Sequence, residues 1–147
     1  IIQQVIENFQ PIIDKNNIMV TFSLLPTIKA HKSEIIQIFQ NLIGNAIKYR
    51  KEGAQVKIDI VCLLENNFWI FHVKDNGIGI AEEYNEVIFK IFKRLHNRED
   101  YPGTGIGLSI CKKIIEQYNG NIWVKSTPGF GSDFCFTFPA LNRGTSL

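Results

Sequence analysis

The sequence predicts a two-layer α/β sandwich, in which a mixed five-stranded sheet carries three main helices on one face. Three segments repeat apolar residues at helical spacing, and five short segments are rich in β-branched and aromatic residues. At least three of these strands are consecutive or joined by a hairpin, so the sheet cannot be wholly parallel. The 147 residues suffice for one domain with a hydrophobic core, assigned to residues 1–140. Residues 141–147 are expected to be a disordered tail or a cloning remnant.

The first helix is predicted over residues 1–15, with Pro11 as the point where it kinks or ends. A strand follows over residues 18–24, where apolar residues alternate with others. The second helix is predicted from near Lys32 or Ser33, with Ser33 as a candidate cap, to Gly53. Its apolar stripe is formed by Ile35, Ile38, Phe39, Leu42 and Ala46.

A second, polar stripe on this helix consists of Asn41, Asn45 and Lys48. A solvated helix surface is the simplest interpretation of two lone asparagines. However, Asn is a mediocre helix former, so two asparagines one turn apart lower the stability of the helix. A functional gain, such as ligand binding, would compensate for this cost. Amide oxygens can coordinate Mg²⁺ and an ammonium group can bind phosphate, so the stripe indicates a ligand rich in oxygen atoms.

The remaining elements follow in order. Residues 56–64 and 68–74 predict a hairpin, and residues 81–102 a long loop. A helix is predicted to begin after the glycines at 103, 105 and 107 and to end near Gly120. Strands over residues 121–126 and 133–138 are joined by a turn at Gly129 and Gly131.

Composition excludes several classes of function. The net charge of +2 is too small, and the basic residues too scattered, to predict nucleic-acid or membrane binding. No apolar run reaches the length of a membrane span, and we expect a cytoplasmic location. The three cysteines have no CxxC spacing, so the sequence suggests neither a disulfide framework nor a zinc site.

Two glycine-rich segments carry further chemistry. Asp75 begins the run DNGIGI at a predicted strand end. A plain turn explains this pattern equally well, but a carboxylate here can also accept a hydrogen bond from an exocyclic amine, which favours adenine over guanine. The run GTGIGL at residues 103–108 opens a helix, where free N–H groups favour an anion. It matches neither a Walker motif nor the dinucleotide fingerprint.

Together these segments resemble the catalytic, ATP-binding domain of sensor histidine kinases, within the GHKL superfamily. NLIGNAIKY is similar to the family's N box, DNGIGI and GTGIGL to its glycine boxes, IFKIF to its F box and GFGSDFCF to its last box. The similarity covers essentially the whole chain and is strongest to phytochrome-like and PAS-linked kinases. It implies the Bergerat ATP-binding fold, with ATP and Mg²⁺ bound under a lid of about residues 81–102.

The resemblance also implies roles at the adenine. Asp75 would bind the adenine amine, both directly and through a water shared with Ser132. Tyr49 would lie against the base, which would also be lined by Gly77, Gly79 and Ile80.

On the phosphate side, the resemblance makes Asn45 the Mg²⁺ ligand, with Asn41 supporting the metal and the phosphates. Lys48, Lys93 and Arg94 would contact phosphate. The second glycine box would bind phosphate through Gly103, Thr104, Gly105, Ile106, Gly107 and Leu108. The expected catalytic residues are Asn41, Lys48 and Arg94.

The implied reaction is transfer of the γ-phosphoryl group of ATP to a histidine, not hydrolysis. Hydrolytic relatives carry a Glu where this chain has Asn41, and Asn cannot act as a general base. His31, His72 and His96 lack the expected acceptor context, so the acceptor is expected on a separate dimerisation domain, with a response regulator downstream. An isolated domain is expected to be a monomer. The alternatives are an anti-sigma-type serine protein kinase and a nucleotide-sensing module without transfer activity.

Overall fold

The computed structural model describes residues 1–90 and 106–140. The helices of this part are α1 (Ile2–Asn8), α2 (Gln10–Lys15), α3 (Lys32–Lys48) and α4 (Gly107–Gln117). Its strands are β1 (Met19–Phe22), β2 (Lys57–Glu65), β3 (Phe68–Asp75), β4 (Ile122–Thr127) and β5 (Gly131–Pro139). Two single 3-10 turns, Glu82–Tyr84 and Val87–Phe89, follow β3. The predicted tail at residues 141–147 and most of the predicted lid lie outside the described residues.

The strands form one sheet in the order β1-β2-β3-β5-β4. The pair β1 and β2 is parallel, because α3 lies in the connection between them and returns the chain to the same end of the sheet. The other three pairs are antiparallel. The hairpin between β2 and β3 turns at Asn66 and Asn67, which have positive φ angles of 50° and 63°. The mixed sheet predicted from the sequence is confirmed.

The core lies between one face of this sheet and the helices. Phe39 of α3 meets the edges of Phe71 and Phe136 at ring-centroid distances of 6.0 and 5.5 Å. Phe71 and Phe136, on the neighbouring strands β3 and β5, stack at 4.9 Å. Ile38 and Leu42 of the predicted apolar stripe are fully buried beside them. Ile43, which the predicted stripe did not include, is fully buried as well. The two-layer arrangement is thereby confirmed.

Helix boundaries differ from the prediction at three places. The first predicted helix is broken at Phe9 into α1 and α2, and Pro11 lies in the first turn of α2, where its missing N–H costs nothing. The cap position of α3 is held by His31 rather than Ser33. Helix α3 ends at Lys48, five residues before Gly53. At this end the Arg50 side chain donates to the Ile47 carbonyl at 2.8 Å and the Ile78 N–H donates to the Tyr49 carbonyl at 3.0 Å, so groups outside the helix bond carbonyls that the helix leaves free.

Candidate functional site

Asp75 is the last residue of β3 and pairs with Ser132 of β5. Its Oδ1 accepts a hydrogen bond from the Gly77 N–H at 2.8 Å. Burial raises the pKa of Asp75 to about 6, against the opposing effect of hydrogen bonds from the backbone N–H groups of Gly77 and Ser132. The carboxyl group is thus a fixed, partly buried acceptor at the end of the sheet.

The glycine turn after Asp75 is held between two other segments. The Ile78 N–H donates to the Tyr49 carbonyl at 3.0 Å, and the Gly129 N–H donates to the Ile78 carbonyl at 2.8 Å. A Cβ on Gly77 would lie 2.5 Å from the Tyr49 carbonyl oxygen. Gly79 has φ of +72°, and its Cβ would lie 2.2 Å from the Thr127 carbonyl oxygen. Close contacts within the protein therefore require both glycines, independently of any ligand.

Ser126 joins this site although the sequence analysis did not include it. Its hydroxyl accepts a hydrogen bond from the Ile80 N–H at 2.7 Å and donates to the Gly131 carbonyl at 2.8 Å. It also lies 2.8 Å from the hydroxyl of Ser132, which is buried. Because the proton of Ser126 goes to Gly131, Ser132 is the donor in that contact. The only feature of the sequence that could have indicated Ser126 as a site residue is that it is a serine near the end of a strand, on the side that faces the core.

The polar stripe of α3 faces the start of α4. The Asn41 amide donates to the Gly107 carbonyl at 3.3 Å, and a Cβ on Gly107 would lie 3.2 Å from Asn41 Oδ1. Asn45, one turn later, is also partly buried. The Lys48 ammonium lies 5.2 Å from the centroid of the Tyr49 ring, a cation–π distance. The stripe thus runs from the second glycine box to the turn that follows Asp75.

The structure therefore brings two groups of predicted site residues together. Asp75, Gly77, Gly79, Ile80 and Ser132 form one group, and Tyr49 connects it to the α3 stripe through the Ile78 bond. Ile106 and Leu108 lie at the start of α4, beside Gly107. The other predicted site residues lie outside the described residues, namely Lys93, Arg94, Gly103, Thr104 and Gly105.

A cavity of about 560 Å³ opens beside Asp75 and Ser132. Ser126 and Asn85 are among the residues that line it. The side-chain oxygen of Asn85 is buried and has no hydrogen-bond partner in the described part of the chain.

Within residues 1–90 and 106–140, none of the helices combines the length and the apolar character that a membrane crossing requires.

The family model for "Histidine kinase-, DNA gyrase B-, and HSP90-like ATPase" matches residues 30–142. Cyanobacterial phytochrome A of Nostoc sp. is 50% identical over 125 residues, which are 84% of this chain and 16% of that protein. The phytochrome-like protein Cph1 of Synechocystis sp. is 42% identical over 142 residues, 97% of this chain and 19% of the relative. The chain thus spans less than a fifth of the length of these two relatives.

Histidine kinases are among the solved structures that share this fold. The nucleotide-free catalytic domain of ThkA has a TM-score of 0.79 and 34% identity, covering 94% of this chain and 89% of that one. ThkA was also solved with the response regulator protein TrrA, with a TM-score of 0.74 and 32% identity over 94% of this chain and 39% of that one. Full-length ShkA with AMPPNP has a TM-score of 0.79 and 28% identity, covering 93% and 28%.

The motif order and the mixed sheet under three helical segments agree with these comparisons. The chain therefore belongs to the Histidine kinase-, DNA gyrase B-, and HSP90-like ATPase family, as a catalytic domain of the sensor histidine kinase type.

Proposed function

We propose that this domain binds Mg·ATP and donates the γ-phosphoryl group to a histidine on a separate dimerisation domain. The observation that carries the proposal is the fixed carboxylate of Asp75, which accepts a hydrogen bond from the Gly77 N–H. The turn that follows it is joined to the end of α3, because the Ile78 N–H donates to the Tyr49 carbonyl. An acceptor for the adenine amine is thereby joined to a stripe of amide oxygens that suits a hard cation. The structurally similar kinase ShkA was solved in complex with AMPPNP, an ATP analogue, which supports a nucleotide as the ligand.

Each group of residues has a separate task in this proposal. Asp75 accepts the adenine amine, and Ser132 takes part through a shared water, while Tyr49 lies against the base. Ser126 holds the Ser132 hydroxyl and the Ile80 backbone in place. The turn with Gly77, Gly79 and Ile80 lines the base. These residues select the nucleotide and fix its orientation.

The phosphate side uses the oxygen atoms of α3. Mg²⁺ neutralises phosphate charge when it is bound, and Asn45 supplies an amide oxygen suited to it. Asn41 is oriented by its bond to the Gly107 carbonyl, so its amide group lies beside the start of α4. Lys48 contacts phosphate. The proposal also includes Lys93, Arg94 and the second glycine box, of which only Ile106, Gly107 and Leu108 are described.

The lack of a carboxylate at position 41 favours transfer over hydrolysis. An amide cannot take a proton from water, so ATP would remain intact until a nucleophile arrives. Phosphoryl transfer depends mainly on positioning and charge neutralisation, which these residues provide. The proposed partners are a phosphoacceptor domain and a response regulator, by analogy with ThkA, which was solved in complex with the response regulator protein TrrA. A cytoplasmic location, where ATP is present, is part of the proposal.

The first test is calorimetric titration of this chain with AMPPNP, with and without Mg²⁺. We expect adenine-specific binding that Asp75→Asn weakens by roughly 10- to 100-fold, because a hydrogen bond to a charged group contributes about 1.5–3 kcal/mol. Asp59→Asn is the matched control. The Asp59 carboxylate lies on β2, whereas Asp75 is on β3, and it accepts a hydrogen bond from the Thr21 hydroxyl of β1. Equal losses for the two variants would contradict the role of Asp75.

Asn45→Ala tests the metal assignment separately. We expect it to remove the part of the affinity that depends on Mg²⁺, whereas Gln37→Ala, an exposed position on the same helix, leaves it unchanged. Addition of the dimerisation helices together with Mg·ATP, in place of AMPPNP, should then produce an acid-labile phosphohistidine on the added segment. Binding of AMPPNP without phosphoryl transfer from ATP would favour the nucleotide-sensing module, and absence of binding would contradict both functions.

A further inference from the structure

Three side chains that can bind metals meet on the sheet face opposite the helices. His72 of β3 pairs directly with Cys135 of β5, and Asp133 lies two residues before Cys135 on the same strand. Residues two apart on a strand point to the same face. Their neighbours Phe71 and Phe136 point to the other face, into the core. The three side chains, here called the outer-face cluster, are therefore separated by the sheet from the α3 stripe.

The ligand atoms of the outer-face cluster are close together. His72 Nδ1 lies 2.9 Å from Asp133 Oδ2 and 3.4 Å from Cys135 Sγ. One nitrogen, one oxygen and one sulfur atom all lie within 4.8 Å of one another. With Zn–N and Zn–O bonds of about 2.1 Å and Zn–S bonds of about 2.3 Å, tetrahedral ligands are separated by roughly 3.3–3.6 Å. Small side-chain rotations would bring all three atoms to one ion.

We propose that His72, Asp133 and Cys135 form a binding site for Zn²⁺ or a similar borderline-soft divalent cation, with water in a fourth position. Thiolate, imidazole and carboxylate are the ligand types that Zn²⁺ takes in proteins. His72 coordinates through Nδ1, which leaves the proton on Nε2. Cys135 releases its proton to solvent as the S–Zn bond forms. The ion would connect β3 to β5 beside the strand ends that carry Asp75 and Ser132.

A simple His–Asp ion pair is the alternative explanation of the cluster. It accounts for the contact between His72 and Asp133, whose side chains are 16% and 23% exposed. It involves only two of the three side chains. Cys135 is fully buried although it lies on the outer face, and its sulfur lies 3.4 Å from His72 Nδ1 and 3.7 Å from the backbone carbonyl oxygen of Asp133. Three potential metal-ligand atoms around one point favour a bound cation, whereas an ion pair accounts for only two of these side chains.

Two lysines oppose cation binding and give the proposal a further test. Lys74 of β3 and Lys125 of β4 are both paired with Asp133, so they lie beside the cluster on the same face. Their charges repel a divalent ion and reduce its affinity. Lys125→Gln is therefore expected to increase the affinity for the metal, while leaving all three ligands in place.

The test is titration of this chain, free of affinity tags and reduced, with Co²⁺ as a spectroscopic substitute for Zn²⁺. We expect one equivalent to bind, with a thiolate-to-cobalt charge-transfer band and visible bands typical of tetrahedral cobalt, and Zn²⁺ to displace it. Cys135→Ala should abolish the charge-transfer band. His72→Gln, which removes a ligand, should weaken binding by at least the roughly 10- to 100-fold that loss of an outer-shell partner costs. Cys62→Ala is the matched control, since this free thiol of β2 is outside the cluster.

Thermal unfolding gives an independent measurement for variants that bind no metal. Zn²⁺ should raise the melting temperature of the unmodified chain and of Cys62→Ala, but not of His72→Gln or Asp133→Asn, which replace partly exposed side chains. A charge-transfer band that survives in Cys135→Ala, or equal zinc stabilisation in His72→Gln, would overturn the proposal. Neither readout requires nucleotide, so failure here is distinguishable from failure of the proposed kinase activity.

Discussion

At the scale of single residues, tight packing determines what the site tolerates. Gly79 and Gly53 both have positive φ angles, of 72° and 76°. A Cβ at Gly79 would collide with the Thr127 carbonyl at 2.2 Å, whereas a Cβ at Gly53 would meet nothing within 4 Å. The two glycines therefore separate the cost of a strained backbone from the cost of lost space.

We expect Gly53→Ala to lower the free energy of unfolding by about 1–2 kcal/mol, the cost of a left-handed conformation in a residue with a Cβ. Gly79→Ala should cost more, because the Asp75 turn must also move away from Thr127. Urea denaturation of both variants measures the difference. Equal losses would mean that the turn adjusts without strain and that the contact with Thr127 does not fix it.

At the scale of the elements, α3 connects both parts of the candidate site and is secured at its two ends. Near its start, the Tyr118 hydroxyl after α4 bonds Glu34 and accepts the His31 N–H. At its other end, the Tyr49 carbonyl accepts the Ile78 N–H. Contacts outside the polar stripe therefore fix the start of α3 against the end of α4, and the end of α3 against the first glycine box. The second glycine box is contacted by the stripe itself, through Asn41 and Gly107.

The cap of α3 is a place where stability can be gained. His31 occupies the cap position with an extended backbone but makes no capping hydrogen bond through its side chain. We expect His31→Asn to raise the free energy of unfolding by about 1 kcal/mol, since an Asn oxygen can accept a bond from a free N–H of the first turn. His31→Ala, which adds no acceptor, is the control in urea denaturation. A gain of the same size in both would show that loss of the imidazole, rather than capping, is responsible.

At the scale of the whole molecule, the buried carboxyl group of Asp75 links stability to pH. Its pKa of about 6 lies above the ordinary value of 3.8, so the folded chain holds this proton where the unfolded chain has lost it. The protonated Asp75 carboxyl therefore contributes its full share to the free energy of unfolding below about pH 4, and this share is lost as the pH rises through about 6. The free energy of unfolding that is lost over this range is about 3 kcal/mol.

Asp75→Asn removes this titration. Compared with the unmodified chain, the variant should gain stability as pH rises from 4 to 6 and should stay more stable at pH 7, while it binds AMPPNP less well. Urea unfolding of both proteins between pH 4 and 8 measures the difference, and the effects of other titrating groups cancel in the comparison. A difference in stability that does not change with pH would contradict burial as the cause of the raised pKa.

Much of this architecture could be predicted from local patterns. The apolar stripe of α3 and the hairpin between β2 and β3 are properties of spacing, and the structure confirms them. Helix ends were predicted less well, because they depend on groups that are distant in sequence. Tyr49 shows the reason, since its carbonyl bonds Ile78, which lies 29 residues later in the chain.

The sequence by itself determined the fold class, the order of the motifs and the family, because these follow from periodicity and from short runs of residues. Only the tertiary structure decided which distant side chains meet. Ser126 joined the site because β4 and β5 are paired there. Three cysteines without metal-binding spacing gave no zinc signal, yet the pairing of β3 with β5 places Cys135 beside His72. Strand register is set by the whole sheet, so no local pattern contains these contacts.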